Sequence, residues 1–174
     1  MKSHPKHPLQ APPGKGIYPS PILSVREGYP SARNFRLVQA QDDAAAAIIA
    51  RRHALRISRL CRVSGQLTHE RQRHTVQLLP GIHMYDPFFC GLLPHSCDPS
   101  VFLDMSELWL WSLQDIRPGC ALSMDYTTTE DRLLRQFACQ CGSPQCRGWI
   151  TGYDESPNAE GLAYLQRWRR HSLD

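Results

Sequence analysis

The sequence predicts a mostly β fold with few helices. Its apolar residues fall in short runs separated by Gly, Pro and Asp turn signals. Several runs alternate apolar and polar residues with the period of a strand, while helix signals gather near residue 45 and at the C-terminal end.

The elements follow in order. Residues 1–13 hold four prolines, two lysines, two histidines and no acid, which predicts a mobile tail. Gly14-Lys15-Gly16-Ile17-Tyr18 reads as a glycine-punctuated turn entering a short strand, and Ile22 to Val25 is a second apolar run. Residues 42–52 predict a helix, with acids at the start, an alanine run within and arginines at the end. His74 to Leu79 and His83 to Tyr85 flank Pro80-Gly81 and predict a hairpin. Val101 to Leu103, Leu108 to Leu113 and Ala121 to Tyr126 predict further strands. Ser156-Pro157-Asn158 opens a final helix, 158–171, with Leu162, Leu165 and Trp168 on one face.

A chain of 174 residues with 41% apolar and 21% charged residues suits one globular domain and excludes a disordered chain. No apolar run is long enough to cross a membrane, and the basic N-terminus has no apolar stretch behind it, so neither an anchor nor a secretory signal is expected. The cytoplasm is the expected compartment, with the nucleus as the alternative. A net charge of +4 is too weak to indicate a nucleic-acid partner. The basic residues are 17 arginines and 3 lysines, and every lysine lies within the first fifteen residues, so self-modification on lysine would be confined to the tail. The arginines of 51–62 form either a solvated face or a docking surface for an acidic partner.

Seven cysteines, an odd number, argue against a disulfide framework. Cys139, Cys141 and Cys146 form a C-x-C-x4-C knuckle, with Gly142-Ser143-Pro144 to turn the chain inside it. Thiolates at this spacing reach one tetrahedral ion and favour zinc. Cys97, in the turn-rich segment 94–99, is the best fourth ligand, whereas Cys61, Cys90 and Cys120 lie in apolar surroundings and read as buried packing residues. A closed set of four thiolates would make zinc part of folding, with no catalytic water.

The ordered set His95-Ser96-Cys97-Asp98-Pro99, Asp115-Ile116-Arg117-Pro118-Gly119, Asp125-Tyr126 and Cys146-Arg147-Gly148 resembles a SET domain followed by its post-SET zinc motif. Gly14 to Tyr18 resembles that family's N-terminal glycine motif, and Val25 to Gly28 the segment after it. The resemblance is strong over 71–150, weak over 14–30 and absent over 31–60. It divides the chain into a tail (1–13), a SET domain (14–136), a post-SET motif (137–152) and a C-terminal helix (153–174).

The resemblance implies a SET-domain β-clip-like fold with a pseudoknot and a C-terminal post-SET zinc site. It implies S-adenosylmethionine as cofactor on one face and a lysine entering a channel from the other. Cys97, Cys139, Cys141 and Cys146 would hold zinc. Tyr126 would be the catalytic residue, orienting the amine as the methyl group passes, with Tyr85 or Tyr153 as a second channel tyrosine. Gly16, Ile17, Tyr18, Pro94, His95 and Phe137 would bind the cofactor, with Trp149 as the alternative to Phe137 for stacking on the purine.

The pattern also departs from the family. Pro94 and Ser100 stand where that family has asparagines, Cys120-Ala121 where it has an acidic pair, and Met124 where it has an aromatic. Proline offers no side-chain donor and no backbone N–H. A lost hydrogen bond to a charged group costs about 1.5–3 kcal/mol. The leading expectation is an S-adenosylmethionine-dependent N-methyltransferase acting on a lysine of a protein. The alternatives are a methyltransferase for a free amino acid or small amine, and a non-catalytic zinc module.

Overall fold

Short strands that bury alternate residues, paired two or three at a time, account for nearly all regular structure in the molecule. The structure is a computed structural model and describes residues 15–39 and 46–171. The strands are β1 (Phe35–Gln39), β2 (Ala46–Ala50), β3 (Arg59–Arg62), β4 (Gln66–Thr68), β5 (Thr75–Leu79), β6 (Ile82–Tyr85), β7 (Val101–Asp104), β8 (Trp109–Ser112), β9 (Phe137–Ala138) and β10 (Trp149–Ile150). They pair antiparallel in four small sheets, ordered β1-β2, β3-β8-β7, β4-β6-β5 and β9-β10. One α-helix, α1 (Ala159–His171), closes the described chain.

The expected hairpin is present as β5-β6, with Val76 opposite Met84 and Gln77 opposite His83. Gly81 makes its turn at φ +74, a conformation that a side chain would strain. The strands expected near 101–103 and 108–113 are β7 and β8, whose buried residues alternate through Val101, Leu103, Leu110 and Ser112.

The expected helix over 42–52 is not formed in its described part. Residues 46–50 are β2, paired to β1 with Phe35 opposite Ala50 and Leu37 opposite Ile48. Residues 42–45 lie outside the described residues, as do residues 1–13 of the expected tail. The reason is burial with period two. Ile48 is fully buried and Ala50 nearly so, and burying one Ile side chain stabilises by about 1.5–3 kcal/mol. That outweighs a helix preference of about 0.7 kcal/mol or less per residue. Alanine also suits a crowded pairing, because it asks for no space.

Two further expectations change form. No strand is formed at 16–18; Gly16 makes a single bridge to Ser31, and the Ile17 N–H donates to the Pro30 carbonyl at 2.8 Å. Segment 121–126 pairs on both sides without becoming a regular strand. On one side the Leu122 N–H reaches Ile48 at 2.8 Å; on the other the Met124 N–H reaches Pro94 at 3.0 Å and the Ser96 N–H reaches Met124 at 3.1 Å. Leu122 and Met124 are thereby buried at the centre, beside Phe89, Leu93 and Val101. The segment delivers Asp125 and Tyr126 to its end.

Helix α1 begins where expected, with the Asn158 side chain accepting the Gly161 N–H at 2.9 Å. Of the expected face, Trp168 packs against Gly148 and Leu165 is half-buried, while Leu162 is not packed. Gly161 is buried and meets the Trp149 indole, and Tyr164 packs on the same ring at 5.6 Å, while Leu162 is 53% exposed. A leucine on the helical stripe is set aside because a tryptophan needs the room a glycine leaves.

Candidate active site and metal centre

The β9-β10 pairing sets Ala138 opposite Trp149 and so closes the loop between them. The Cys139 N–H bonds the Gly148 carbonyl at 2.7 Å, and the Cys146 N–H bonds Ser143 at 3.0 Å, which turns the loop tightly. Gly142 at φ +70 permits that turn. The loop carries Cys139, Cys141 and Cys146 to Cys97, and the four sulfurs lie within 4.8 Å of one another. Cys97 and Cys139 Sγ are 3.8 Å apart. Zn–S bonds of about 2.3 Å hold tetrahedral sulfurs about 3.8 Å apart, so the donor set fits one such ion.

Backbone N–H groups point at these sulfurs: Arg147 to Cys97 at 3.4 Å, Gly148 to Cys146 at 3.5 Å, and those of Cys97 and Ser143 to Cys141. Burial pushes the Cys139 thiol up, whereas Cys141 falls to about 6, because N–H groups and neighbouring thiols outweigh its own desolvation. Of the other cysteines, Cys61 and Cys90 are buried as expected. Cys120 is exposed, because its segment joins β2 through backbone groups and its side chain follows the Pro118-Gly119 turn outward.

Tyr126 follows Asp125, whose carboxylate caps the turn by accepting the Thr127 N–H at 3.1 Å. Arg147, beside Cys146, donates to the same carboxylate at 2.6 Å and to the Thr127 hydroxyl at 3.0 Å. The metal loop and the tyrosine are thus tied through one carboxylate. The Tyr126 hydroxyl donates to the Leu93 carbonyl at 2.8 Å. Burial, with Cys90 and Glu130 nearby, pushes its pKa up to about 12, so the phenol keeps its proton at neutral pH.

His95 is a buried spacer between these parts, its side chain 3% exposed. The Tyr126 N–H donates to its Nδ1 at 3.3 Å, which leaves the ring proton on Nε2, 3.5 Å from the Cys97 sulfur. Burial lowers its pKa to about 4, with Arg147 adding to the effect and Asp125 opposing it. The imidazole is therefore neutral, and its ring meets those of Tyr126 and Phe137 edge to face at 5.3 and 5.7 Å.

A cavity of about 380 Å³ opens beside these rings, with Pro94, Tyr126 and Phe137 in its wall together with Leu92, Leu93 and Glu130. Its volume lies within the range of small-molecule sites, roughly 300–1,000 Å³. Its lining combines a flat ring and leucines with charged and polar side chains from 71–75, 130 and 135, and its size suits a nucleoside-sized ligand. Phe137, and not Trp149, reaches this wall. Trp149 turns away, donating to Gln136 at 3.0 Å and packing on α1.

Tyr85 and Tyr153 do not line the cavity, and Tyr153 is 58% exposed. Gly16, Ile17 and Tyr18 do not line it either. The Tyr18 hydroxyl instead donates to buried Asp86 at 2.7 Å and accepts the Ser64 N–H at 3.0 Å. Asp86 also accepts the N–H groups of Phe88, Phe89 and Cys90, which fixes the turn leading to Leu93 and Pro94. Sequence reasoning missed Asp86 and Glu130, because neither sits in a spaced motif. Arg147 carried a signal in its position directly after the last cysteine.

No family model matches the chain. Methyltransferase flvH of Aspergillus flavus is 38% identical to it over 100 residues, which are 54% of this chain and 52% of that protein. The chain thus spans about half the length of this curated relative. Among the solved structures that share the fold are two of KRYPTONITE. The crystal structure of KRYPTONITE in complex with mCHG DNA and SAH superposes with a TM-score of 0.54 at 21% identity, covering 68% of this chain and 29% of that one. KRYPTONITE in complex with mCHH DNA, H3(1-15) peptide and SAH gives 0.52 at 20% identity, covering 67% and 29%. The fold class is mostly β, with one α-helix among the described residues, and SET-like, as expected from the sequence. Among the described residues no helix is long and apolar enough to cross a membrane.

Proposed function

We propose that the chain is an S-adenosylmethionine-dependent N-methyltransferase whose acceptor is a lysine side chain of a protein. The observation that carries this reading is the meeting of Tyr126, Pro94 and Phe137 in one cavity wall, backed by the converging cysteines. The similarity to a methyltransferase over half the chain supports it.

When bound, S-adenosylmethionine supplies an electrophilic methyl group: the amine lone pair forms the N–CH3 bond as the S–CH3 bond breaks, a thioether remains, and the amine proton leaves to solvent. Phe137 offers the flat face for the adenine, and the backbone around Pro94 and His95 offers its edge partners. Tyr126 acts as a protonated hydroxyl. Its hydrogen is committed to Leu93, so its oxygen is free to accept an N–H and aim the amine. Lysine in water is protonated, with a pKa of about 10.4. Leu92, Leu93 and Phe137 give the Tyr126 side of the cavity an apolar lining, which favours the neutral amine that transfer requires.

Zinc held by Cys97, Cys139, Cys141 and Cys146 would be structural, since four thiolates leave no open position. Its role is to fix the loop after β9 and thereby the Phe137 wall.

Calorimetric titration of the zinc-loaded protein with S-adenosylmethionine, then a transfer assay on lysine peptides and free amines, tests the proposal. Micromolar cofactor binding and transfer to peptides are expected. Transfer to free amines alone would replace the acceptor class. A folded, zinc-loaded protein that binds no cofactor would leave a non-catalytic module.

A further inference from the structure

The cavity beside Tyr126 has a charged wall that the reaction as described does not use. Arg71, Arg73 and Arg135 line it, and Glu130 is the one acidic residue among the described residues that does so. Arg71 is fixed in place: its guanidinium pairs with Asp131 and donates to the Gln77 side chain at 3.1 Å. Its Nε is buried without a hydrogen-bond partner among the described residues, so part of the group's hydrogen-bonding capacity is unused.

Glu130 is fixed as well. Its carboxylate accepts the Gln77 N–H at 2.8 Å and the Thr129 hydroxyl at 3.2 Å, and its own N–H donates to the Tyr126 carbonyl at 2.9 Å. The same wall lacks a donor at Pro94, which has neither a polar side chain nor an N–H. Guanidinium groups beside a carboxylate form a surface complementary to a zwitterion, with charge-assisted hydrogen bonds at both ends. The cofactor proposed for this cavity ends in an α-amino carboxylate.

We infer that this wall holds the amino-acid end of the cofactor, the arginines taking its carboxylate and Glu130 its ammonium, in place of the side-chain contact that Pro94 does not make. The inference rests on the methyltransferase reading and adds to it the residues that recognise the ligand.

The test compares two ligands by calorimetry on the full zinc-loaded chain. S-adenosylhomocysteine has the amino-acid end; 5′-methylthioadenosine has the same adenosine without it. The first should bind about a hundredfold more tightly. Arg135→Gln, at an exposed residue, should cut that preference by about tenfold, and Arg73→Gln by a similar factor, with circular dichroism checking the fold of each. Glu130→Gln should cut it too, with circular dichroism checking the fold. Equal binding of both ligands, or arginine variants that keep the full preference, would overturn the inference and leave the methyltransferase reading standing. Failure of a folded, zinc-loaded protein to bind either ligand would overturn both.

Discussion

Gly161→Ala sets two known effects against each other. In an isolated helix alanine is favoured over glycine by about 0.8–1 kcal/mol. Here a Cβ at position 161 would sit 2.3 Å from Trp149 Nε1 and 2.6 Å from Cε2, well inside contact distance. The ring has little room to retreat. It is 7% exposed, and its N–H bonds Gln136 Oε1, which also accepts the Asn158 N–H at the start of α1. Moving the ring gives up a bond worth about 0.5–1.5 kcal/mol net. Overpacking of this kind costs about 1–3 kcal/mol.

The clash therefore wins, and the net expectation is a docking of α1 weakened by about 1–2 kcal/mol. A domain of this size then loses about 2–4 °C in Tm per kcal/mol. Hydrogen exchange of the α1 amides should accelerate ahead of the core. Because β10 pairs with β9, which carries Phe137, affinity for S-adenosylhomocysteine should fall as well. Ala163→Gly, on an exposed position of the same helix, is the control and should show the propensity loss alone. A raised Tm with slower α1 exchange in Gly161→Ala would refute the packing argument, since propensity would then have decided the outcome.

Three other outcomes are expected. Cys141→Ser should lower bound zinc and loosen residues 137–150, whose two-residue strands cannot hold the loop alone; metal content and hydrogen exchange report both, and a full zinc complement with unchanged protection would contradict the four-sulfur centre. Tyr126→Phe should keep zinc and cost about 0.5–1.5 kcal/mol of stability, while turnover falls about tenfold or more; wild-type turnover would remove the role given to its hydroxyl. Glu155 is held below its ordinary value because the N–H groups of Gly152 and Leu133, with Arg132 nearby, outweigh its desolvation. A depressed carboxyl stabilises the fold above its unfolded value, and the contribution is lost as pH falls through the folded one. Urea unfolding from pH 7 to pH 3 should therefore fall more steeply for wild type than for Glu155→Gln, and parallel curves would contradict it.

What the sequence made legible is what depends on spacing. Metal ligation asks one atom of each residue, so Cys139, Cys141 and Cys146 could be read from their intervals and Cys97 from its turn-rich setting. The β5-β6 hairpin was legible because Pro80-Gly81 constrains the backbone locally. β2 was not, since an alanine-rich run fits a helix in isolation and only its partner β1 makes it a strand. The packed face of α1 was legible at Leu165 and Trp168 and hidden at Gly161, which matters because of Trp149, a residue outside the helix. Asp86 sits in no spaced motif, and its importance comes from Tyr18, sixty-eight residues away.

The metal loop and the cavity behave as one object because their links are short and charged. Arg147 stands next to Cys146 and bonds Asp125; Asp125 precedes Tyr126; His95 stands two residues before Cys97 and accepts the Tyr126 N–H. The Asp125 side chain is only 12% exposed, and Arg147 with Thr127 holds its carboxyl below the usual range against the pull of desolvation. Displacing the loop would withdraw Arg147 and strand a nearly buried carboxylate, a costly state. That cost opposes loop movement whenever Asp125 is ionised, and the same ion pair keeps Tyr126 at the end of its segment. Four converging cysteines and one arginine on one carboxylate thus tie Phe137 and Tyr126 to the same wall, where sheets of two and three short strands offer few bonds of their own, and an ion held by the four sulfurs would tighten that tie.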